Sequence, residues 1–146
     1  MIEKATLDDL LDIQYIEDEV LKGRWKEKDF RYEFIENPVA NMYVYRINGE
    51  IIGYADLWIL FERAELVNIA IKKAYQGNGY GDELLSFIER KAIKAGCEFM
   101  MLEVRDSNEA AISLYTKHGF KFLRRREKYY EDTGEDAIEM MKIFEV

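Results

Sequence analysis

The chain predicts a mixed α/β fold: one largely antiparallel sheet containing a single β-α-β crossover. Three observations point there. Apolar residues recur at helical spacing near the N-terminus, alternate with a period of two between Asn41 and Ile71, and return to helical spacing over Gly81–Ala95. An Asn48-Gly49 pair divides the alternating region into a hairpin. One β-α-β crossover then follows, flanked by antiparallel pairs, which argues against a doubly wound sheet.

Taken in order, Ile2–Ala5 reads as a short edge strand. Thr6 can N-cap a helix running to about Lys22, with Leu7, Leu10, Leu11, Ile13 and Val20 as its apolar stripe and Gly23 as its stop. Lys26–Glu36 reads as a second short helix. Asn37-Pro38 ends it, because the residue before proline is pushed out of the helical region. Met42–Ile47 and Ile51–Phe61 are the hairpin strands, and Glu65–Ile71 is a third. The helix Gly81–Ala95 turns Leu84, Leu85, Ile88, Ala92 and Ala95 to one face and Glu83, Glu89, Arg90 and Lys94 mainly outward. Gly96 caps it. Phe99–Arg105 is the next strand, Asn108–Lys117 a short helix ending at Gly119, and Phe120–Arg126 with Ala137–Phe144 complete the sheet.

With 146 residues, 49% hydrophobic, and no repeat or linker, residues 1–146 read as one domain. A net charge of −8 argues against a broad nucleic-acid surface and suits a positively charged partner, such as an amine or basic peptide. One cysteine and one histidine exclude an internal disulfide, a cysteine metal cluster and a multi-histidine site, so no metal is expected. No apolar run is long enough for a bilayer, and residues 1–20 are acidic. The expectation is a cytoplasmic protein with no membrane partner.

The stretch Ala74–Asp82, AYQGNGYGD, places three glycines at a strand–helix joint. Orphan N–H groups and the helix dipole make such a joint a phosphate site, and glycine lets the ligand approach the backbone. A Walker A loop requires Gly-Lys-Ser/Thr, but Asp82 follows Gly81. A dinucleotide fingerprint requires G-x-G-x-x-G and repeated βαβ units, and both are missing. The pattern that remains is Gln76-Gly77-Asn78-Gly79-Tyr80-Gly81.

That pattern resembles the pyrophosphate loop of the GNAT acetyltransferases, which bind acetyl-CoA. Leu102–Phe120, LEVRDSNEAAISLYTKHGF, resembles the second half of their acyl-CoA site. The resemblance covers essentially the whole chain. It implies a GNAT acyl-CoA N-acyltransferase fold, with one parallel, splayed strand pair and helices on both faces. The match is closer to the branch that acetylates the N-terminal alanine of a small-subunit ribosomal protein. One departure is Arg24-Trp25-Lys26, where that branch commonly carries Pro-Trp-Ser in a region that shapes the acceptor site.

Several roles follow as implications of the resemblance. Ile69, Ala70 and Ile71 would meet the pantetheine arm. Gln76, Gly77, Asn78, Gly79, Tyr80, Gly81 and Asp82 would hold the pyrophosphate, and Asn108 would contact the cosubstrate. Glu103 is the expected general base and Tyr115 the general acid. Trp25, Tyr129 and Tyr130 would bind the acceptor. Read from the strand alone, Glu103 is as well explained as a half-exposed carboxylate paired with a cross-strand Lys or Arg. A helix Tyr is more often a packing residue, although a phenol can supply a thiolate with its proton.

Cys97 reads as a buried structural residue, His118 as a helix C-terminal residue favoured by the dipole, and Arg124-Arg125-Arg126 as a solvated or ion-paired strand face. The expected activity is transfer of acetyl from acetyl-CoA to a protein or peptide N-terminus, with a ribosomal protein as the leading acceptor. A small amine acceptor, or a non-catalytic acyl-CoA-binding module, are the alternatives.

Overall fold

A computed structural model describes residues 1–145. The strands are β1 Ile2–Lys4, β2 Ala40–Ile47, β3 Glu50–Leu60, β4 Arg63–Ile71, β5 Phe99–Arg105, β6 Lys121–Tyr130 and β7 Glu135–Ile143. They form one sheet in the order β1-β2-β3-β4-β5-β7-β6, in which β4 and β5 are the parallel pair. The helices are α1 Leu10–Val20, α2 Glu27–Ile35, α3 Tyr80–Lys94 and α4 Glu109–Lys117. The chain order is the expected one. Among the described residues no helix is long and apolar enough to cross a membrane.

Two apolar cores lie on opposite faces of the sheet. Leu10, Ile13, Ile16 and Phe30 of α1 and α2 pack on Val44, Tyr54 and Ala70. On the other face, Leu84, Leu85, Ile88 and Ala92 of α3 and Tyr115 of α4 pack on Leu57, Leu66 and Leu102. β2, β3 and β4 thus serve both cores by alternation.

Some details differ from the sequence reading. The chain enters α1 through a 3-10 turn, Leu7–Asp9, closed by Asp9 accepting the Thr6 N–H at 2.9 Å. The turn changes the helical phase, so Leu7 and Leu11 face solvent and Ile16 and Glu17 are buried. Phe61 is not a strand residue. It has φ 57 in the β3–β4 turn and is exposed. On α3, Glu89 is buried and Ala95 exposed, the reverse of the expected assignment.

One irregularity shapes the site. Asp56 pairs with Asn68 but Leu57 pairs with Leu66, leaving Val67 as an extra residue in β4. Such a bulge bends its strand. The parallel pairing with β5 stops beside it, at Leu66↔Leu102, although the two strands continue to Ile71 and Arg105. Beyond the bulge they diverge and open a slot in the sheet.

Behind the slot, the buried Glu17 carboxylate accepts the Tyr54 hydroxyl at 2.7 Å and the Asn68 amide at 3.2 Å, which ties α1 to β3 and β4. Burial pushes the Glu17 carboxyl up from its ordinary value, partly countered by the Tyr54 bond and by the backbone N–H groups of Trp25 and Arg24. Nearby, Asp56 is fully buried against Glu33 of α2, and neither of its oxygens finds a donor. Burial, reinforced by the adjacent Glu33, pushes Asp56 up to about 10. It therefore keeps its proton and can donate it to Glu33, which already accepts Trp58 Nε1 at 2.6 Å and Asn37 Nδ2 at 2.8 Å.

Candidate active site

The slot opens into a cavity of about 810 Å³ that runs along Ile69–Ile71 to the glycine loop and to Asn108 and Tyr115. A smaller cavity of about 260 Å³ is bounded by Trp25, Trp58, Glu65, Arg126, Tyr129 and Glu139. Arg24, Leu66, Val67 and Glu103 line both. The two cavities therefore meet at the bulge, with Glu103 at the junction.

The loop is built to leave donors free. Gly77 and Gly79 have φ +82 and +85, a region costly for any other residue except Asn and Asp. Gly79 occupies the N-cap of α3 and supplies no side-chain cap, so the first N–H groups of a 15-residue helix keep their unsatisfied donors. By contrast, α4 caps itself: Asn108 Oδ1 accepts the Ala111 N–H at 3.2 Å. Gly81 has no positive φ, and a Cβ there would lie 3.7 Å from Leu114, an ordinary contact. Neither backbone nor packing demands its glycine, yet it lines the cavity.

Gln76 closes the turn by donating its amide to the Ile71 carbonyl at 2.9 Å, and Asn78 donates to the Tyr75 carbonyl at 3.1 Å. The Tyr80 ring packs edge-on against Tyr45, their centroids 5.4 Å apart. Asn78 and Tyr80 lie outside the cavity lining, whereas Gln76, the three glycines and Asp82 lie within it.

Glu103 is half-buried and lies opposite Glu139 in the β5–β7 register. Arg126 bridges them, 3.5 Å from Glu103 and 3.3 Å from Glu139, and Arg124 reaches Glu139 at 3.0 Å. The cross-strand ion pair and the position at the cavity junction thus coexist. Arg125 meets Asp106 and Asp136, so all three consecutive arginines are ion-paired. Tyr115 is buried, and burial pushes its phenol well above the ordinary value. It stays protonated at every physiological pH.

Tyr129 lines the smaller cavity, but Tyr130, at the end of β6, is buried and lines the larger one. The Arg24 guanidinium sits over both rings, 5.4 Å from Tyr129 and 4.9 Å from Tyr130. It therefore joins the α1–α2 loop to the β6–β7 hairpin. Sequence reasoning missed both Arg24 and Glu139 as cavity residues. Glu139 had a signal, being a carboxylate inside the apolar alternation of Ala137–Met141, as Glu103 is in its own strand. Cys97 is buried with its thiol pushed up by burial, which leaves it poorly suited as a nucleophile.

A splayed parallel strand pair, an uncapped glycine-rich helix N-terminus, and a second pocket meeting the first at a carboxylate define an acyl-CoA-dependent N-acyltransferase. The chain belongs to the acetyltransferase (GNAT) family, whose model matches residues 7–120. It is 36% identical over 141 residues to the ribosomal protein bS18-alanine N-acetyltransferase of Escherichia coli (strain K12), spanning 95% of this chain and 94% of that protein. Over 125 residues it is 35% identical to an N-alpha-acetyltransferase of Sulfurisphaera tokodaii, spanning 76% and 74%. The crystal structure of the E. coli ribosomal-protein-S18-alanine N-acetyltransferase superposes with TM-score 0.91 at 32% identity, covering all of this chain and 94% of that one. The fold is shared with Ard1 of Thermoplasma volcanium, at TM-score 0.91 and 22% identity.

Proposed function

We propose that this single-domain protein transfers the acetyl group of acetyl-CoA to the N-terminal α-amine of a protein, with the N-terminal alanine of ribosomal protein bS18 as its acceptor. The observation that carries the reading is the meeting of the two cavities at Glu103. The larger one offers uncapped helix donors to a pyrophosphate and the Ile69–Ile71 strand edge to a pantetheine arm. The smaller one offers aromatic rings and carboxylates to a chain bearing an ammonium group. The similarity to bS18-alanine acetyltransferases over nearly the full chain supports the acceptor.

In this reading Glu103 takes the proton from the α-ammonium, whose pKa of roughly 7.7–8.0 makes that a modest task. A β4 backbone N–H at the bulge polarises the thioester carbonyl. The freed amine attacks the thioester carbon and the C–S bond breaks. Tyr115, which is protonated, passes its proton to the departing thiolate and is reprotonated by the proton the new amide nitrogen gives up. Tyr129 and Trp25 hold the acceptor beside Glu103, and Tyr130 holds Arg24 in place from below. The reaction needs no metal and is placed in the cytoplasm, where ribosomal proteins are made.

The test offers acetyl-CoA with peptides beginning in alanine, including the first residues of bS18, alongside polyamines. Acetylation of the α-amine of the bS18 peptide is expected, and turnover confined to polyamines overturns the reading. Two variants probe the site. Gly81→Ala replaces a helical glycine at a position with room for a methyl group, so melting temperature should hold or rise. Its methyl enters the phosphate cradle, and the Kd for CoA should rise about tenfold or more by calorimetry. Tyr115→Phe keeps the packing on Phe120 and removes the proton, so kcat should fall about 10²-fold with KM for acetyl-CoA little changed. An unaltered kcat returns Tyr115 to a packing role.

A further inference from the structure

The only histidine of the chain is built into the acyl-CoA site from behind. His118 ends α4, and its ring, 11% exposed, reaches across to α3. Nδ1 lies 2.9 Å from Glu89 Oε2 and Nε2 lies 3.0 Å from Asp82 Oδ1. Carboxylate oxygens only accept, whereas a neutral imidazole donates from one nitrogen and presents a lone pair at the other. With both carboxyl groups ionised, only the imidazolium donates to both.

The other charged groups around the ring are accounted for. Glu89 also receives Lys142 of β7, and Asp82 receives Lys117 of α4 at 3.1 Å. Lys117 is largely exposed, so water screens it.

Asp82 is the third residue of α3 and lines the cavity beside Gly79 and Gly81. The family resemblance implies that Asp82 holds the pyrophosphate. Its carboxylate, however, is engaged by His118 and Lys117 and competes with an incoming anion for the same helix N-terminus, so only its backbone N–H can serve that anion. Left unneutralised, the carboxylate repels a pyrophosphate. We propose that His118 is a positioning residue for the acyl-CoA site: as imidazolium it draws Asp82 aside, offsets its charge, and clamps the first turn of α3 to α4, so that acyl-CoA affinity depends on its protonation. This rests on the acyl-CoA reading of the larger cavity. The lowered Asp82 carboxyl, held down first by His118 and then by Lys117, agrees with the geometry.

Calorimetric titration of CoA into the wild-type protein between pH 5.5 and 8.5 tests the proposal, alongside His118→Gln, Asp82→Asn and the double variant. His118→Gln should weaken CoA about tenfold at the acid end and flatten the pH dependence relative to wild type. The loss should appear in KM for acetyl-CoA, with kcat little changed. Asp82→Asn removes the charge to be offset, so it should restore affinity in the His118→Gln background, which a merely structural histidine would not allow. Asp82→Asn alone should bind at least as tightly as wild type with a flatter profile, and this holds the test open should the histidine variant fold poorly. Equal affinity and equal pH dependence in wild type and His118→Gln, or no rescue by Asp82→Asn, overturns the proposal and leaves the acyl-CoA reading standing. Failure of the wild type to bind CoA at any pH overturns both.

Discussion

Glu103→Gln should lower kcat for acetylation of an N-terminal peptide at pH 7 by about 10²–10⁴-fold, the range that removal of a general base costs. The amide matches the carboxylate in shape, so the β5–β7 register and the junction between the cavities are retained. What disappears is the group able to take a proton from the acceptor. The Kd for CoA should hardly move, because the larger cavity keeps its loop, its strand edge and Tyr115. The deficit should shrink with rising pH. Above roughly pH 9 most of the peptide amine is already deprotonated, since its ordinary pKa is about 8, and the base is dispensable. Steady-state rates from pH 6 to 10 decide the matter. A variant whose profile overlays the wild type returns Glu103 to the role of ion-pair partner of Arg126.

The parts of this architecture that were legible in the sequence are those specified by local chemistry. Phe99–Arg105 was bounded to the residue because its alternation is clean, and the Asn48-Gly49 turn because both residues adopt positive φ. The glycine loop was legible as a turn open to close approach at a helix N-terminus, and the structure divides its glycines by cause. Gly77 and Gly79 are demanded by backbone angles, whereas Gly81 is left to be explained by what enters the cavity.

Features set by distant partners were not legible. Glu89 sits on the polar side of its helix in sequence, yet it is buried because His118 and Lys142, 29 and 53 positions away, come to it. The Val67 bulge carries no Gly or Pro to announce it, and only the β3–β4 register exposes the extra residue. Arg24 read as a departure from a motif. Its position over Tyr129 and Tyr130 depends on a hairpin more than a hundred residues further along.

Asp56→Asn should raise stability at neutral and alkaline pH, the reverse of the usual outcome of changing a fully buried polar residue. The sign follows from linkage. The folded-state value is raised from 3.8 to about 10, so between those limits the folded chain holds a proton that the unfolded chain releases. The contribution of this carboxyl is fully present below about pH 3.8 and is lost as pH rises toward 10. At pH 7 the separation is about 3 units, an order-of-magnitude cost of about 4 kcal/mol at 1.36 kcal/mol per unit. Asparagine supplies a permanent N–H to the neighbouring Glu33 without that cost, although its own oxygen remains unpaired in a site with no donor. A net gain of about 2 kcal/mol at pH 8 is expected, falling by about 1.4 kcal/mol per pH unit and reaching zero at about pH 6.5. Urea unfolding at pH 5, 7 and 9 measures it, and the diagnostic is the slope: the variant's stability should fall less steeply from pH 5 to 9. A variant less stable at every pH, with the wild-type slope, would show that Asp56 ionises in the fold and that some other group answers its charge. The carboxyl sits opposite Asn68, one residue from the Val67 bulge, so the proton it keeps spares the strand that lines the larger cavity an uncompensated buried charge.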